Sequence, residues 1–200
     1  MFRTVLEMFQ WSPHKAEQLE RAAAAWNIFE AGLSLAVGAA AGAVSLIAFG
    51  LASGAELAAT VIALRELRHG WSVFGHRLLG AMFAVVGITV LAAGVFALSK
   101  QSVRSPGVAS IIVAALCTVI MLLIALLQFS AGRALRNRSL TGHGKLSIFD
   151  ALIGGGVLLS LLAWSAFGLT WVDGTAAVLV GVFALLEGVK TYRSASTPDL

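Results

Sequence analysis

The chain has 200 residues, 58% of them hydrophobic and only 12% charged, a balance that no water-soluble core of this size needs and that marks an integral membrane protein. Its net charge of +4 and pI near 9.8 would suggest nucleic acid in a soluble domain, but the basic residues sit in short loops between apolar runs with no basic stripe among exposed aromatics, so nucleic-acid binding is excluded. A single cysteine, Cys117, inside an apolar run excludes an internal disulfide and a cysteine metal cluster.

Residues 2 to 9 place Phe2, Val5, Leu6 and Phe9 at helical spacing with Arg3 and Glu7 between them, the pattern of a short helix lying in the membrane interface. They lack the uninterrupted apolar stretch of a secretory signal, so the first span is expected to act as its own insertion signal. Ser12 followed by Pro13 reads as a helix N-cap with proline at the first helical position, and Glu17 with Arg21 forms an i,i+4 pair. Six apolar runs follow, at about 22–41, 44–64, 78–98, 108–129, 147–167 and 172–189. At 1.5 Å per residue, roughly 18 to 22 residues span about 27 to 33 Å, the thickness of a bilayer's hydrocarbon. The expected fold is an all-α integral membrane bundle of six transmembrane helices. Residues 1–21 form an interfacial N-terminal segment, 22–193 the six-helix domain and 194–200 a short polar tail, with no soluble regulatory domain.

Arg3, Lys15, Arg21, Arg65, Arg68, Arg77, Arg133, Arg136, Arg138, Lys145, Lys190 and Arg193 fall on one side of these spans, and only Lys100 and Arg104 on the other. Positive charge collects on the cytoplasmic side, so both termini are expected in the cytoplasm and the chain in the cytoplasmic membrane. Gly38/Gly42 and Gly50/Gly54 form small-x-x-x-small pairs, while Gly80, Gly87 and Gly94 recur every seven residues on the third span and Gly174, Gly181 and Gly188 on the sixth. These are packing faces, within the bundle or at a dimer seam.

Glu56 lies near the middle of the second run, where a charge costs on the order of 3 kcal/mol and is rarely placed without a partner or a water-filled path. A second acid, Asp150, stands near the start of the fifth run, and the two are expected to face each other as a cation site. The bland alternatives are a protonated Glu56 that only packs and an Asp150 that caps a helix. Glu30 and Asn27, one turn apart in the first span, either line a cytoplasmic access path or make a structural bond between spans, and Ser53 either lends a hydroxyl to a hydrated ion or bonds back to its own helix. Glu187 is expected to pair with a loop arginine, and Asp173 to cap the start of the sixth span. His143 reads as a proton shuttle, a metal-capture group or a solvated loop residue, and His69 and His76 flank the loop between spans two and three. No nucleophile elbow, phosphate loop or zincin pattern occurs, so no enzyme and no cofactor is expected.

The block Asn27 to Glu56 resembles the first hairpin of the cation diffusion facilitators, dimeric antiporters that export zinc and related divalent metals in exchange for protons. Asn27 and Glu30 stand where a branch of that family carries Asn-x-x-Glu, and Ala41-Gly42-Ala43-Val44-Ser45-Leu46 is similar to its hairpin turn. Ala52-Ser53-Gly54-Ala55-Glu56 matches the family's Asp-Ser-x-x-(Asp/Glu), and Leu146-x-x-x-Asp150 its His-x-x-x-Asp. Arg138-Ser139-Leu140, Val172-Asp173-Gly174 and Glu187-Gly188 extend the similarity over about 22–193. The resemblance implies a homodimer in the lipid bilayer, and a four-coordinate metal site between spans two and five. Its ligands here would be Glu56 and Asp150, with Glu30, Asn27 and Ser53 as secondary candidates, because Ala52 and Leu146 cannot coordinate. Two carboxylates without imidazole or thiolate suit a harder, partly hydrated cation or a proton better than zinc. The expected function is therefore divalent cation/proton antiport. The alternatives are a non-transporting scaffold or partner subunit that kept the fold, and a proton-coupled carrier of a small solute.

Overall fold

The computed structural model describes residues 10–69, 73–99 and 107–195. Among them it has six α-helices and no strand: α1 Pro13–Ala41, α2 Val44–His69, α3 Val73–Ser99, α4 Val108–Ala134, α5 Arg138–Phe167 and α6 Trp171–Ser194. Each is long and apolar enough to cross a membrane, the architecture of a multi-pass membrane protein. The expected interfacial helix at 2–9, Lys100, Arg104 and the last five residues lie outside the described residues, as do the side chains of His69 and His76.

Local signals act as the sequence suggests at the start of α1. The Ser12 hydroxyl accepts from the Lys15 amide at 3.3 Å, and Arg21 donates to Glu17 at 2.8 Å. Residues 13–21 are thus the first turns of α1, continuous with the span. The α1/α2 turn is made by Gly42, whose φ of 68° lies in the left-handed region, while the Ala43 amide returns to the Gly38 carbonyl at 2.9 Å.

The helices sort into four and two. Helices α1, α2, α5 and α4 touch in sequence around a closed ring, α1 against α4 completing it, while α3 and α6 pair with each other outside the ring against α2 and α5. The glycine heptads explain that outer pair. A Cβ on Gly87 would stand 2.5 Å from the Leu185 amide nitrogen, and one on Gly188 would stand 2.5 Å from that of Ala84. The two heptads therefore face each other within one chain, and backbone meets backbone. Gly38 and Gly50 pack in the α1/α2 hairpin in the same way, whereas Gly54 has nothing within 4 Å of its missing Cβ among the described residues.

Polarity is arranged inside out. Val85, Phe96, Ile112, Leu152 and Leu159 are exposed on the outer surface, as lipid-facing side chains would be. The ring's interior is apolar at the hairpin end, around Leu46, Phe49, Val113, Val157 and Leu161. Toward the end where α1 begins it turns polar: Glu20, Asn27, Glu30, Glu56, Thr60, Gln128, His143, Ser147 and Asp150 are all buried.

Candidate ion-binding site

One face of α1 supplies the first wall of this polar interior. Its buried residues are Ala16, Glu20, Ala23, Asn27, Glu30, Ser34 and Gly38, spaced three or four apart, so every polar group on that stripe points into the ring. The facing helices contribute Ser53, Glu56 and Thr60 from α2, Cys117 and Gln128 from α4, and His143, Ser147 and Asp150 from α5.

At the end nearest the α1 start, the buried His143 ring lies between two carboxyls. Its Nδ1 is 2.7 Å from Glu20 Oε2, and its Nε2 is 3.2 Å from Thr60 Oγ1 and 3.9 Å from Glu56 Oε1. The Gln128 amide nitrogen is also 3.0 Å from Nδ1, so both ring nitrogens of His143 have polar neighbours. The Gln128 amide donates to Glu20 Oε1 at 3.2 Å, and that of Asn27 to Thr60 Oγ1 at 3.3 Å. His143 is thus an interior group and not a solvated loop residue, because α5 begins at Arg138 and carries it into the ring.

One turn deeper, Ser147 donates to Glu56 Oε1 at 2.6 Å, leaving Oε2 without a partner, and Asp150 Oδ2 is likewise unpaired among the described residues. Glu56 and Asp150 line one small cleft of about 30 Å³ together with Ala52 and Leu146. All four positions of the expected site therefore meet, two acidic and two apolar. Phe83 of α3 and Phe183 and Glu187 of α6 close the far side. Glu30 is fully buried, with Trp26, Ser53 and Cys117 near its carboxyl.

Several expectations change. Ser53 donates to the Phe49 carbonyl of its own helix at 3.0 Å, and the Asn27 amide nitrogen bonds across to Thr60 of α2. Glu187 pairs with Lys190 at 3.5 Å, one turn along the same helix. Asp173 caps a different helix from its own. Its carboxylate accepts from the Val44 amide at 2.8 Å, the Ser45 amide at 3.3 Å and the Ser45 hydroxyl, tying α6 to the open amides at the start of α2. Glu20, Thr60, Gln128 and Ser147 were absent from the expected site. For Glu20 the signal was present, since it lies in phase with Asn27, Glu30 and Ser34 on the α1 stripe. Among the described residues no group of three or more His, Cys, Asp or Glu side chains is arranged to hold a metal ion. No family model matches the chain.

Proposed function

We propose that the chain is a secondary cation transporter of the cation diffusion facilitator type. It moves a divalent or other hard cation outward in exchange for protons, as a homodimer in the cytoplasmic membrane with both termini in the cytoplasm. The observation that carries this reading is the meeting of Glu56 and Asp150 across α2 and α5 in one cleft.

The charge inventory gives the reason. Glu20 and His143 neutralise each other when the ring is charged, but Glu30, Glu56 and Asp150 remain, and among the described residues no lysine or arginine is buried. An isolated ionised carboxylate in such an interior is strongly disfavoured, so these groups hold protons or a cation. A site that must hold one or the other couples their movements: arrival of the cation expels protons, and its release readmits them. The all-oxygen donors of Glu56, Asp150 and Ser147 suit a partly hydrated hard cation. Alternating exposure would follow from rocking of the helices carrying the cleft against their neighbours.

The scaffold reading has its own support in Ala52 and Leu146, which leave half of the cleft without donors. Calorimetric titration of the purified chain with manganese, cobalt and zinc separates the two. The transporter reading expects saturable binding of at least one metal, weakened by about tenfold or more in Glu56→Gln. A scaffold would give no saturable heat with any of them.

A further inference from the structure

The cleft that holds Glu56 and Asp150 has a rim for which a metal ion has no use. Phe83 of α3, Phe149 of α5 and Phe183 of α6 line it together with the acids, and the Phe149 and Phe183 rings lie 6.2 Å apart. Those two residues are 45% and 46% exposed on the outer surface of the bundle, whereas Glu56 and Asp150 are 2% and 5% exposed. The cleft therefore runs from an aromatic mouth on the lipid-facing side to an acidic floor. Glu187, the third acid in the lining, already has a cation in Lys190 at 3.5 Å. Glu56 Oε2 and Asp150 Oδ2 are buried acceptors with no partner among the described residues. The volume of about 30 Å³ is enough for a group the size of a water molecule and little more.

We propose that this cleft takes the ammonium head of a lipid-soluble primary amine arriving from the bilayer. An alkylammonium head is close to water in size and carries three N–H donors, which matches a small floor of carboxylate acceptors and compensates their burial. Its hydrocarbon body lies against the phenylalanine rings, and mostly apolar walls with a few placed polar groups are the usual form of an organic-ligand site. Ala52 and Leu146, which subtract donors from a metal site, subtract nothing from this one. A quaternary head lacks the N–H donors and is too large for the floor. An ethanolamine phospholipid has the same head but brings a phosphate that the two carboxylates repel. This inference names a substrate class for the exchange reading, on which transport of the amine rests; binding of the amine does not depend on it.

The test is calorimetric titration of the purified full-length chain in maltoside detergent with n-hexylammonium chloride, with hexanol and hexyltrimethylammonium chloride as matched controls. Saturable binding of hexylammonium is expected, none of hexanol, and at least tenfold weaker binding of the quaternary ion. Binding should be lost in Glu56→Gln and in Asp150→Asn, and weakened several-fold in Phe183→Ala. Phe183→Ala, at the exposed rim, decides the matter should the acid variants fail to fold. The absence of saturable hexylammonium binding to the wild type overturns the proposal, as does equal binding of the three probes or wild-type affinity in the folded variants. Displacement of hexylammonium by dihexanoyl phosphatidylethanolamine also overturns it, because the occupant would then be a lipid headgroup. The amine is titrated without metal and the metals without amine, so either reading can fail without the other.

Discussion

His143 is held by contacts that reach across more than a hundred residues of chain, to Glu20 on one side, and it faces Glu56 on the other. Removing one partner of a buried pair leaves the other desolvated and uncompensated, a loss of about 3 to 5 kcal/mol. His143→Ala should therefore lower the unfolding free energy by about 3 kcal/mol. Combined with Glu20→Ala it should cost far less than the sum of the single changes. A double-mutant cycle by chemical unfolding in detergent checks this, and additive costs would show that the pair is not coupled. Ala52 and Leu146 make the opposite case, two side chains whose backbone positions suit a ligand but whose chemistry does not. Installing donors with Ala52→Asp and Leu146→His should raise zinc affinity by at least about tenfold. Unchanged zinc affinity in the folded double variant would mean that the four positions do not converge as described.

At the scale of elements, glycine separates contact from filler. Gly87 presses backbone against backbone between α3 and α6, so Gly87→Ala forces the pair apart and should cost about 1 to 3 kcal/mol. Gly54 faces open space, and Gly54→Ala should instead stabilise α2 by about 0.5 to 1 kcal/mol through better helix propensity. Equal effects in an unfolding titration would contradict this assignment. The spacing of Gly80, Gly87 and Gly94 was legible as a packing face because a seven-residue repeat keeps one side of a helix. Its partner was not legible, since periodicity describes one helix at a time. The same limit hid the pairing of Glu20 with His143 and the reach of Asp173 to the start of α2.

For the whole molecule, six long apolar runs gave the span count because apolar length alone answers to bilayer thickness. That Glu56 and Asp150 line one cleft was also legible, from two acids each placed where an unpartnered charge is costly. The polar half of the ring was harder to foresee. Glu20 and Gln128 look like ordinary helix residues until the ring closes over them, and His143 lies close to a loop. The ring carries more carboxyl groups than bases, and that imbalance is the physical root of the exchange reading. It is tested most directly by flux into proteoliposomes under an imposed pH gradient, with zinc, manganese, iron, cobalt and cadmium offered one at a time. The account predicts that at least one metal moves with a matching counterflow of protons, and that Glu56→Ala abolishes both. Absence of metal and proton flux for every ion, from protein that is folded and reconstituted, would contradict it.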